Sequence, residues 1–163
     1  MNVSEHFTRA DVERSAIAAS KHIDNSAPDA VIERAAGLAK NVLEPLAAKF
    51  GADNIVINSW YRSEMLERHL CDSAYAAWCA KQGLPRDPIS WHTYFSRKQH
   101  PKGDAADIEI IGIGNKELFT YIKENLEYDQ LILEFYKTGM PTSGWVHVSW
   151  VPTRNRKESF SIG

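Results

Sequence analysis

The stretch HPKGDAADIEI, His100 to Ile110, opens on a histidine, turns on a glycine and ends in an alternating run. Alternation over Asp107, Ile108, Glu109 and Ile110 has the period of a strand, so Asp107 and Glu109 share one face and Ile108 and Ile110 the other. Gly103 permits a bend that a residue with a Cβ would resist, and Ala105 leaves room beside it. His100 is carried back toward Asp107, and an imidazole and a carboxylate can converge on one point.

Outward from this stretch the chain carries further helix and strand signals. Downstream of a strand over 106–111, Asn115 starts a helix to about Leu126, and DQLILEFY and GWVHVSWV read as two further strands. Upstream, PDAVIERAAGLAKNVLEPLAAKFG reads as one long helix. Val31, Ala35, Leu38, Val42, Leu46 and Phe50 recur at helical spacing, Pro45 kinks the helix or marks its last turns, and Gly51 ends it. Thr8 and Asp11 can cap a short N-terminal helix. Ile55 to Ile57 is a short strand ending at Asn58 and Ser59, and Ser63 caps a helix through about Gln82 with Gly83 as its stop. From Gly83 to Lys98 the chain is loop-like, with Pro85 and Pro88. Its Trp91, His92, Tyr94 and Phe95 make it either a satellite of the core or the wall of a binding cleft. Helices followed by a cluster of strands and hairpins predict an α+β fold with helices packed on an antiparallel sheet. The 163 residues suit one domain, 1–163.

Composition bounds the function. The chain is 44% apolar and 25% charged, with net charge −2. That gives no global pull toward nucleic acid or anionic membranes. The run Arg154, Arg156, Lys157 is expected to be a solvated tail. No stretch approaches a membrane span. The first residues lack an apolar h-region, so synthesis in the cytoplasm without a signal peptide is expected. Cys71 and Cys79 would sit roughly 12 Å apart on a helix at about 1.5 Å per residue, too far for a disulfide. Neither has a CxxC partner for a structural zinc cluster.

In GWVHVSW, Trp145, His147 and Ser149 share one face of a strand, and Val146, Val148 and Trp150 the other. His147 is either a hydrogen-bonded structural residue or a ligand. Two histidines and one carboxylate with an open fourth position is the donor set of a catalytic zinc, so His100, Asp107 and His147 are the candidate metal ligands. A hairpin whose loop runs from Thr138 to Ser143 pairs Lys137 with Gly144. That register would set Glu134 directly opposite His147, on the same face, as a candidate base.

These residues resemble a known family. HPKGDAAD matches the H-x-x-G-x-A-x-D motif of the zinc D-Ala-D-Ala metallopeptidases, whose fold is shared by carboxypeptidases, phage endolysins and the hedgehog signalling domain. SWYRS resembles the S-G-Y-R-S segment of the small carboxypeptidase-like branch found in phages and prophages. DQLILEF resembles its D-Q-L-I-x-E stretch, and GWVHVSW its W-V-H-V-S strand. The resemblance covers most of the chain and implies a hedgehog/DD-peptidase-like fold with Zn²⁺ on His100, Asp107 and His147. It implies Glu134 as general base and Arg62 in the cleft, holding a substrate carboxylate or carbonyl. A surface ion pair is the structural alternative for Arg62.

The chain departs from the family pattern in places. Lys98 stands where a serine is usual, Trp60 replaces the glycine of S-G-Y-R-S, and Gly144 takes the place of the glutamate in the wider family's Glu-x-x-His. Lys98 and His92 are candidate substrate-binding residues; Asp104 and Glu109 are expected to be solvated or to support the ligands. The implied activity is a zinc peptidase cleaving peptidoglycan stem peptides, as D,D-carboxypeptidase or endopeptidase. It would be a monomeric phage or prophage lysin acting on the cell wall or periplasm after release. The alternatives are a non-catalytic zinc module of hedgehog type and a free D-Ala-D-Ala dipeptidase.

Overall fold

A computed structural model describes residues 1–163. The N-terminal segment holds α1 (Arg9–Glu13) and α2 (Ala16–Lys21). Thr8 and Asp11 cap α1 reciprocally, as their spacing predicts. Next come α3 (Asp29–Leu38) and α4 (Glu44–Phe50), joined without a break by a π-helical stretch, Ala39–Leu43. The long predicted helix is therefore one rod with a widened turn. Pro45 has no N–H to give to Asn41 and would crowd that carbonyl in an α-helix. The π turn relieves this, and the Glu44 N–H reaches back to the Ala39 carbonyl instead. Gly51, at φ 88°, ends the rod.

Strand β1 (Ile55–Ser59) leads into α5 (Glu64–Gln82), which Ser63 caps at its start and Gly83 at its end. The segment expected to be a loop contains a helix, α6 (Pro88–Ser96). Asp87 and Ser90 form a capping box, and Pro88 sits at the first turn, where its missing N–H costs nothing. Proline there marks a helix start rather than a loop. Tyr75, Cys79, Trp91 and Tyr94 form a small core of their own between α5 and α6, which bears out the satellite alternative for these aromatics.

Then follow β2 (Ala105–Ile110), α7 (Asn115–Asn125), β3 (Gln130–Glu134), β4 (Trp145–Ser149) and β5 (Glu158–Ile162). The sheet order is β1-β2-β4-β3-β5. All neighbours are antiparallel except β5, which runs parallel to β3. The fold is α+β as predicted, but the sheet is mixed. The basic run is not a free tail: it leads into this added edge strand, and Arg156 is held by buried Asp129.

One face of the sheet carries Ile108, Ile110, Leu131, Leu133, Val146 and Val148, all buried in the main core with Leu38, Val42 and Leu46 of the rod and Leu118 and Ile122 of α7. The other face carries Asp107, Ile132, Glu134, Trp145 and His147. Strand alternation makes this division. The hairpin register differs from the expectation by two residues: His147 faces Ile132, and Glu134 faces Trp145. Phe135 and Gly144 both leave the extended region, at φ 53° and 66°, and the Ser143 hydroxyl ties the loop to Lys137 and Met140. The ladder therefore ends earlier than a minimal loop would allow. A shift of two keeps side-chain parity, so Glu134 stays on the face of His147.

Candidate metal centre

His100 opens a 3-10 turn, His100–Lys102, that Gly103 closes at φ 79°. A Cβ on Gly103 would lie 2.7 Å from the Val31 carbonyl oxygen of α3. The turn thus requires glycine for its backbone angle and for close packing. Trp60, fully buried, clamps it: its indole N–H donates to the Gly103 carbonyl at 3.0 Å, and its own carbonyl lies 2.7 Å from His100 Nδ1. Asp104, far from being solvated, is buried and paired with Arg34, which fastens the turn to α3. Glu109 accepts from Asn58 and Asn115.

Asp107 on β2 pairs in register with His147 on β4. Its Oδ1 lies 3.3 Å from His100 Nε2 and 3.1 Å from His147 Nδ1. One donor atom from each of the three buried residues falls within 4.8 Å of the others. The outer nitrogens have partners of their own. His100 Nδ1 faces the Trp60 carbonyl, and His147 Nε2 faces Gln99 Oε1 at 3.4 Å. Carbonyl oxygens only accept, so both outer nitrogens carry the protons, and the inner lone pairs converge beside Asp107 Oδ1. The other carboxylate oxygen, Oδ2, is taken by Arg62 Nη2 at 2.7 Å. Asp107 therefore presents one oxygen inward. Two neutral imidazoles and one carboxylate oxygen fit a zinc ion with an open side toward solvent, and carbonyl partners on the outer nitrogens are the usual support for such ligands.

Burial would raise the Asp107 carboxyl, but the two neighbouring imidazoles hold it well below the ordinary range. Burial pushes His100 down, toward the neutral form a metal needs. Glu134 is pushed up, first by burial and then by Asp107, with His147 and Arg62 opposing.

The ligands lie in a cleft of about 630 Å³. Glu134, Arg62 and Lys98 line it; His92 does not, being exposed on the outer side of α6. The structure thus brings together five of the expected site residues and Lys98, and leaves His92 out. Arg62 is more engaged than its resemblance implied: beyond Asp107 it donates from Nε to Ser59 at 2.9 Å and lies 3.6 Å from buried Glu67. Gln99, Asp129 and Arg156 were missed by sequence reading. Gln99 Nε2 donates to Asp129 at 2.8 Å, so a chain of contacts runs from Arg156 through Asp129 and Gln99 to His147. Only the adjacency of Gln99 to His100 hinted at this. A second cluster, Glu5, His6 and Glu44, is largely exposed, and its histidine nitrogen is already bonded to Glu44.

Among solved structures the chain resembles a vancomycin-resistance D,D-pentapeptidase, a VanY mutant from a VanB-type resistance cassette in complex with Zn(II). Identity is 20%, over 66% of this chain and 67% of that one, with a TM-score of 0.35. A superposition this loose carries no argument about the chain. No family model and no curated protein matches it.

Proposed function

We propose that the protein is a zinc-dependent D,D-peptidase of peptidoglycan stem peptides, with His100, Asp107 and His147 as the metal ligands. The observation that carries the reading is the convergence of the two histidines on one oxygen of Asp107. Their outer nitrogens are tied to carbonyls and their inner lone pairs meet at Asp107 Oδ1, with Glu134 in the same cleft. The four family-like segments, His100 to Asp107, Ser59 to Ser63, Asp129 to Phe135 and Gly144 to Trp150, add the substrate class. Their likeness to the branch found in phages and prophages also supports a lysin of that type. No helix is long and apolar enough to cross a membrane.

When bound, zinc polarises a carbonyl and brings the pKa of a water to about 7. The chain's own residues do the rest. Glu134 takes a proton from the attacking water at its carboxylate. As the C–N bond breaks, it returns that proton to the leaving amine, so the water adds across the bond. Its raised affinity for protons suits it to hold one between the two steps. Arg62 keeps Asp107 turned so that only Oδ1 faces inward.

Elemental analysis and cleavage of purified sacculi, with products read by mass spectrometry, test the reading. One zinc per chain, lost in His100→Ala, Asp107→Ala and His147→Ala, together with new peptide ends is expected. Full zinc without cleavage would replace the peptidase by a non-catalytic zinc module; no zinc would remove both. Dimers and trimers cut in sacculi would indicate endopeptidase action; loss of terminal D-alanine alone, carboxypeptidase action.

A further inference from the structure

Four cationic side chains line the cleft: Arg62, Arg97, Lys98 and Arg156. They differ in what already holds them. Arg62 is engaged by Asp107, Ser59 and Glu67. Arg156 gives Nε and Nη2 to Asp129 at 2.9 and 2.8 Å. Arg97 and Lys98 form no ion pair with any carboxylate of the chain, whereas Arg62 and Arg156 each form two. Lys98 is nonetheless oriented: its ammonium lies 4.2 Å from the centre of the Tyr94 ring. That contact positions a cation without neutralising it.

None of the three cleft carboxylates pairs with Arg97 or Lys98, Glu134 included. Asp107 faces the two histidines and Arg62, while Glu67 accepts from Cys71 and faces Arg62. Two adjacent, uncompensated cations therefore stand immediately before Gln99 and His100, in a chain whose net charge is −2. A substrate carboxylate is the group such a pair recognises. Arg62, the guanidinium the sequence suggests for that task, already directs its nitrogens to Asp107, Ser59 and Glu67.

We propose that Arg97 and Lys98 anchor the free C-terminal carboxylate of the substrate, so that the bond cut lies near a free C-terminus. This rests on the peptidase reading above. Titration calorimetry of the zinc-loaded chain tests it, with cleavage followed by mass spectrometry on the same samples. The probes are diacetyl-L-Lys-D-Ala-D-Ala, its C-terminal amide, and a longer amide whose γ-linked D-glutamate keeps an internal carboxylate. The acid is expected to bind about 10–100-fold more tightly than either amide, the worth of charge-assisted contacts. Arg97→Ala/Lys98→Ala should erase that preference at unchanged zinc content, and Arg97→Lys/Lys98→Arg should restore most of it. Equal binding of acid and amide, a preference that survives the alanine pair, or tight binding of the internal-carboxylate amide would each overturn the anchor while leaving the peptidase reading intact. Failure of all three peptides to bind or be cut would overturn both.

Discussion

At Asp107 the two carboxylate oxygens have separate partners, and that separation organises the site. Oδ2 belongs to Arg62, at 2.7 Å, and Oδ1 to the histidines. Lysine cannot reproduce the fork that spans Ser59 and Asp107. Arg62→Lys is therefore expected to weaken zinc binding about 10–100-fold, the usual cost of disturbing a ligand's support. Zinc competition with a chromophoric chelator measures it. Unchanged affinity would mean that Asp107 holds its orientation unaided. Glu134 should behave oppositely. Glu134→Gln leaves all three ligands and their supports in place, so zinc should stay while turnover falls roughly 10²–10⁴-fold. Zinc affinity and turnover on one preparation separate a base from a ligand support. Turnover near wild type at full occupancy would remove Glu134 from the chemistry.

Among the elements, the β3–β4 hairpin sets the distance between Glu134 and His147. Gly144 sits where the ladder ends: at φ 66°, with an added Cβ 1.8 Å from the Glu134 carbonyl oxygen. Gly144→Ala must strain or open the hairpin, and roughly 1–3 kcal/mol of stability should be lost, read by urea unfolding. The same change displaces Glu134 from His147, so turnover should fall more than stability alone explains. The C-terminal segment acts through Asp129. Its carboxyl is held below the ordinary 3.8, first by the Arg156 hydrogen bond, with burial opposing. A depressed folded-state value contributes stability that is present above pH 3.8 and lost as pH falls through the folded value. Arg156 is 45% exposed at its side chain, so Asp129→Asn should cost only about 1–2 kcal/mol at pH 7 after allowance for solvent screening. The gap between variant and wild type should close in acid below pH 3.8. A gap independent of pH would show that packing, not charge, holds the segment.

For the molecule as a whole, a metal that binds the native state and not the unfolded chain stabilises it by mass action. At free zinc a thousandfold above Kd that is about 4 kcal/mol, and for a chain of this size the Tm should rise on the order of 10 °C. Scanning calorimetry with zinc and with a chelator tests this, and identical Tm values in the two would contradict native-state binding at this site. The ligands come from the turn after α6 and from two neighbouring strands, so binding ties the α5–α6 side to the centre of the sheet.

Local chemistry made much of this legible in the sequence. A turn that only Gly103 can make, strand alternation over Asp107 and His147, and caps at Thr8, Ser63 and Gly83 all act within a few residues, so they can be read from neighbours alone. Parity also keeps Glu134 on the face of His147, although the hairpin register differs from the expected one by two residues. What needed the tertiary structure depends on partners far along the chain. Trp60 closes on a turn begun forty residues later, Arg62 gives its Nη2 to Asp107, and Asp129 gathers Gln99 and Arg156. The added parallel strand β5 belongs to the same class: it is short and largely exposed, and only the free edge of β3 gives it a place. Backbone angles and side-chain parity are short-range and written locally. Which charge meets which is decided only when the sheet brings distant residues side by side, and that pairing leaves Arg97 and Lys98 as the unpaired cations of the cleft.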